Sequence, residues 1–219
     1  MAGLGCFGRL PVLLLWACQV VLGCAHSPGL TGEAEDYGFE GASSRVWVKG
    51  PWGKINASQD IDEIIDQLCP AVMMLPRTRS GEYGQEYCGV IYKLLEENKY
   101  YASMPSPLGR PALNAASKRK SCLVPTTVRD SRGASRTDAD FHSHPWSPSG
   151  MSREDKMLAT QWYLFRIQFD GECHVQKLVP HVDERRPGEL YERQGKRWKL
   201  VGYILPEDKE LGYVTPAVE

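Results

Sequence analysis

The stretch Asp140-Phe141-His142-Ser143-His144-Pro145-Trp146-Ser147-Pro148-Ser149-Gly150-Met151-Ser152-Arg153-Glu154-Asp155 decides how this chain is read. Asp140 to His144 has the look of a strand end, and histidines at i and i+2 of a strand point to the same face. Seven residues separate His144 from Ser152, which sits where a short helix over 152–160 would begin. Ser152-x-x-Asp155 also has the form of a capping box, with Ser152 as N-cap. Such a helix can return the Asp155 carboxylate to the two imidazoles. Two histidines and one carboxylate hold a zinc ion with a fourth position open to water, the arrangement of catalytic rather than structural sites.

The pattern His-x-His-x7-Ser-x2-Asp, filled by His142, His144, Ser152 and Asp155, resembles the signature of the JAMM (MPN+) zinc metalloproteases. That family also carries a glutamate on an earlier strand, commonly as Glu-x-Cys-Gly followed by two aliphatic residues. Here Glu86-Tyr87-Cys88-Gly89-Val90-Ile91 fits. Glu82-Tyr83-Gly84 is a superficial competitor without the Cys-Gly and aliphatic run behind it. The resemblance spans roughly residues 58–170. It implies Zn2+ on His142, His144 and Asp155, Glu86 as general base to an attacking water, and Ser152 as donor to the oxyanion. The reaction implied is hydrolysis of a peptide or isopeptide bond. It also implies a single-domain α+β fold, a curved mixed sheet flanked by helices.

Two other functions share part of this pattern. A peptidoglycan endopeptidase with an HxH motif needs a His-x3-Asp pair upstream, and only His26 precedes His142. A metal-free MPN-like scaffold that binds partners usually lacks one or more ligands, and none is missing here. The substrate expected is a peptide or protein of unstated identity.

Residues 1–23 read as an export signal, with Arg9 its only charge and an apolar run from Leu10 to Leu22 too short to span a bilayer comfortably. Val21-Leu22-Gly23-Cys24 looks like a lipobox, which would make Cys24 a lipidated membrane anchor in the cell envelope, facing the periplasm or exterior. Ordinary cleavage after Ala25 is the alternative. Residues 24–55 read as a flexible tether and 56–219 as the catalytic domain. Without the signal the chain keeps 25 basic residues, one fewer than 26, against 27 acidic ones. So small an imbalance gives no reason to expect nucleic acid. Lys118-Arg119-Lys120 with Arg129, Arg132 and Arg136 suggests a solvated loop, or else a substrate-docking rim.

Four cysteines remain in an oxidising compartment, Cys69, Cys88, Cys122 and Cys173. One or two disulfides are expected, with three possible full pairings. Cys88 reads best as a small buried hydrophobe. Ser58–Cys69 has apolar residues at Ile61, Ile64, Ile65 and Leu68, a helix stopped by Pro70. Strands are expected over Glu86–Leu94, Lys99–Met104 and Cys122–Val128, with the rest of 105–137 a long loop. Trp162–Phe169 with His174–Val179, and Leu190–Arg193 with Trp198–Leu205, read as hairpins. His174 and His181 read as surface or core side chains, and Trp146 and Pro148 as loop packing or cleft-shaping residues.

Overall fold

Along β6 (Ser135–Ser143), Ala139 and Phe141 alternate with Asp140 and His142, yet all four are buried. A strand with both faces covered and only one of them apolar must separate two different interiors. The computed structural model, which describes residues 36–109, 121–182 and 185–218, shows what covers each.

The remaining elements are β1 (Tyr37–Phe39), β2 (Val46–Gly50), α1 (Ile61–Val72), β3 (Cys88–Leu94), β4 (Tyr100–Ala102), β5 (Thr127–Asp130), β7 (Phe165–Phe169), β8 (Val175–Val179), β9 (Gly188–Gln194), β10 (Arg197–Ile204) and β11 (Thr215–Pro216). The large sheet runs β11-β10-β9-β8-β7-β6-β3-β4, and a small one runs β1-β2-β5. The large sheet is antiparallel except for β6 and β7, which are parallel. The chain is thus mostly β, with one α-helix among the described residues.

The helix-flanked α+β architecture is overturned. The helix expected over 152–160 is two 3-10 turns, Glu154–Lys156 and Leu158–Thr160, broken by an extended Met157 (φ −75°, ψ 140°). Nine residues are too few to hold a helix without tertiary help. Here the tertiary contacts take backbone carbonyls that a helix would need: Arg166 and Gln161 both donate to the Asp155 carbonyl.

Ile64, Ile65, Leu68 and Val72 of α1 pack on the apolar face of the large sheet, against Ile91, Ala139, Phe141, Ile167 and Phe169. Asp60 caps the helix by accepting from the Asp62 N–H. Pro70 does not stop it. The helix continues to Val72, because Cys69 and Val72 are both held in the core. On the opposite face Val46 and Val48 of the small sheet cover Val90. The tether expected over 24–55 is therefore corrected over its described part: residues 37–39 and 46–50 are strands. The export signal, Cys24 and Lys118-Arg119-Lys120 lie outside the described residues.

Both disulfides form, Cys69–Cys173 and Cys88–Cys122. Cys88 is buried as expected but bridged, against the reading of it as a plain hydrophobe. In the basic stretch, Arg129 stacks on Trp47, while Arg132 and Arg136 pair with Asp130 and Asp138.

Gly89 shows why the motif strand needs glycine. A Cβ there would sit 2.2 Å from Phe141 Cζ, and Phe141 is fully buried with nowhere to move. Gly89→Ala is expected to cost about 1–3 kcal/mol in a urea titration. Gly53→Ala, whose Cβ would meet nothing within 4 Å, serves as the control and stays within about 0.5 kcal/mol. Equal midpoints for the two would refute the packing account.

Candidate metal centre

The non-helical face of β6 carries Asp140 and His142, and the chain leaves the sheet at His144. His144 keeps the strand direction because its N–H donates to the Phe169 carbonyl of β7 (2.8 Å). The following loop swings back over this face and delivers Asp155. His142 Nε2 lies 3.4 Å from Asp155 Oδ1, and His144 Nε2 lies 3.4 Å from Asp155 Oδ2. One ligand atom from each of the three residues falls within 4.8 Å of the others, so the group can hold a metal ion.

Two observations test that fit. The 3.4 Å separations are long for charge-assisted hydrogen bonds, which run about 2.7–2.9 Å. They match the edge of a tetrahedron with metal–ligand bonds of about 2.0–2.2 Å, which is about 3.3–3.6 Å. His142 Nε2 is also buried without a hydrogen-bond partner. An orphaned buried polar atom costs about 1–3 kcal/mol, a cost that a bound cation removes.

Asp155 is fixed locally. Its Oδ2 accepts from the Ser152 N–H (2.8 Å), and its own N–H donates to Ser152 Oγ (3.1 Å). This reciprocal pair is the capping box, closed over a 3-10 turn in place of a helix. Burial alone would raise the Asp155 carboxyl. The adjacent His142 and His144 imidazoles and the hydrogen bond from the Ser152 N–H outweigh burial and hold it well below the usual carboxylate range. It therefore stays an anion, as a metal ligand must.

His144 has support that the sequence did not suggest. Its Nδ1 lies 2.9 Å from Ser149 Oγ. Binding a metal through Nε2 leaves the proton on Nδ1, where Ser149 accepts it. Ser149 is held in turn by Asp170, fully buried, whose Oδ2 accepts from the Ser149 N–H (3.0 Å) and from Ser147 Oγ (3.2 Å). His174, surface-exposed, donates to the same carboxylate. No sequence motif marks Asp170, although a carboxylate at a hairpin turn followed four residues later by histidine was visible.

A cavity of about 430 Å³ opens beside the triad. Glu86, His142, Asp155 and Arg166 line it, with the Cys88–Cys122 bridge, Leu123, Val124 and Trp162 forming its walls. Glu86 reaches it through register. Cys88 pairs with His142, and Tyr87 and Ser143 exchange hydrogen bonds, so Glu86 falls opposite His144 on the shared face. Glu82 is exposed in a 3-10 turn outside this cavity, so of the two glutamates it is Glu86 that shares the cavity with His142 and Asp155. Ser152 is not among the lining residues. The aromatic on the rim is Trp162, 66 % exposed, rather than Trp146.

The chain matches no family model, no curated protein and no solved structure. Function therefore has to be argued from the centre itself.

Proposed function

We propose that this chain is a zinc-dependent hydrolase of peptide or isopeptide bonds. One observation carries the reading: His142, His144 and Asp155 converge within 4.8 Å at the edge of an open cavity that Glu86 also lines. Two imidazoles and one carboxylate form a donor set suited to zinc, and they leave coordination positions for water and substrate. Zinc bound there would polarise the scissile carbonyl and lower the pKa of a water from about 16 towards 7.

The protein's own groups do the rest. Glu86 takes the proton of the attacking water and hands it to the departing amine. Ser152 Oγ accepts from the Asp155 N–H, and the resemblance to the JAMM motif, rather than its place beside the cavity, gives its hydroxyl proton to the oxyanion. Leu123, Val124 and Trp162 offer apolar surface to the substrate chain, and an opening of about 430 Å³ admits a segment of polypeptide. The resemblance of these residues to the JAMM motif supports the assignment of roles. The fold adds nothing to it.

Two disulfides support export to an oxidising compartment, and with the expected lipid on Cys24 the enzyme would act at the cell envelope.

Glu86→Gln is the direct test. The variant should keep stoichiometric zinc and the wild-type melting temperature while amide hydrolysis falls about 10²–10⁴-fold. Substrates are found by comparing new N-termini in envelope extracts treated with wild type or variant. Full hydrolysis by the variant would remove Glu86 from the role of base.

A further inference from the structure

Asp155 rides on a 3-10 turn of three residues, a unit with little stability of its own. Yet a metal ligand has to be held to a fraction of an ångström. The holding group comes from β7. Arg166 is 3 % exposed, and its guanidinium bridges Asp155 and Thr160 of the return segment. Its Nη1 donates to the Asp155 carbonyl (2.8 Å) and to Thr160 Oγ1 (3.0 Å), and its Nη2 donates to the Thr160 carbonyl (2.6 Å). Its Nε donates to Asp140 Oδ2 (2.7 Å), and Asp140 is 1 % exposed.

Resting on the zinc-hydrolase reading, we propose that Arg166 and Asp140 are the positioning pair of the metal centre. Arg166 grips Asp155 by its main chain while Asp140 keeps the guanidinium away from the Asp155 carboxylate. The contacts follow this division: Arg166 pairs with the carboxylate of Asp140 and with the carbonyl of Asp155. A cation bound to the Asp155 side chain would compete with the metal, whereas one bound to its carbonyl only orients it. Asp140 and Arg166 are register partners on β6 and β7, next to the pair His142 and Gln168. One strand pair therefore sets both the histidine and the distance to the third ligand. Gln161 Nε2 also donates to the Asp155 carbonyl (2.6 Å), but it lies on the same return segment and cannot tie it to the sheet.

The experiment measures zinc affinity by chelator competition, and cobalt(II) absorption as a report on coordination geometry. It uses the wild type, Arg166→Lys and the double variant Asp140→Leu/Arg166→Met. The double variant removes both buried charges at once, so neither is stranded. Lysine keeps the charge beside Asp140 but lacks the fork that reaches Asp155 and Thr160 together. Both variants are expected to fold and to bind zinc about 10–100-fold more weakly, with the cobalt band shifted or broadened. Zinc affinity within threefold of wild type in the folded variants would overturn the inference, and so would failure of both variants to fold, which would make the pair a fold element only. A wild type that takes up no metal would sink the zinc-hydrolase reading as well. Metal-binding wild type with unchanged variants would sink this inference alone.

Discussion

His142→Ala is expected to release the metal and end hydrolysis together. The substitution leaves one imidazole and one carboxylate, too few to retain a divalent ion against buffer. It also deletes the buried Nε2 that has no hydrogen-bond partner, so the metal-free fold should lose little. These effects separate in a thermal melt. Zinc at a hundredfold excess over its dissociation constant adds about 2.7 kcal/mol to the native state. For a chain of this size that raises the melting temperature by roughly 5–10 °C. Wild type and Glu86→Gln should both show the rise, and His142→Ala should show none. Stoichiometric zinc on His142→Ala, measured by mass spectrometry of the metal, would dismantle the centre as described.

Removing the Cys69–Cys173 bridge should produce the largest loss of stability. Its partners are 104 residues apart, so it closes a long loop in the unfolded chain. Loop-closure entropy puts its contribution at about 4.7 kcal/mol, against about 3.8 kcal/mol for Cys88–Cys122, whose partners are 34 apart. Cys69 also lies in the core between α1 and the large sheet, so alanine there leaves a small void. The bridge ties the helix to the β7–β8 turn, where Asp170 organises the loop behind His144. Guanidinium melts of Cys69→Ala/Cys173→Ala and Cys88→Ala/Cys122→Ala compare the two bridges directly. A cost under about 1 kcal/mol for the first would show that the loop argument fails here.

Much of the architecture was legible because it is written in short periods. The repeat of Ile61, Ile64, Ile65 and Leu68 marks α1, and the turns at Asp170-Gly171 and Gly195 mark the two C-terminal hairpins. The strand at 46–50 was legible too, since Val46 and Val48 alternate with Trp47 and Lys49, but the polar, glycine-rich composition around it suggested a tether. The false helix after Ser152 has a clear cause. The capping box is real, but whether a cap is followed by a helix depends on where the next carbonyls are bonded, and Arg166 lies on a strand eleven residues beyond Asp155. The convergence of His142, His144 and Asp155 could be read because motif spacing encodes it. Its supports could not: Ser149, Asp170, Asp140 and Arg166 become neighbours only through the pairing of β6 with β7. The bridge at Cys88 escaped for the same reason, since its partner approaches across the cleft and not along the chain.

The parallel run of β6 and β7 has a consequence for engineering. Parallel neighbours oblige the chain to travel back along the sheet before the second strand can start, and here that journey brings Asp155 to the two imidazoles and its carbonyl to Arg166. Residues 138–170 thus hold both imidazoles, the carboxylate and the Asp140–Arg166 pair in one contiguous piece. Shortening the return path would break the topology and part Asp155 from the histidines at once, so changes that reshape the cavity belong in its wall around Cys122.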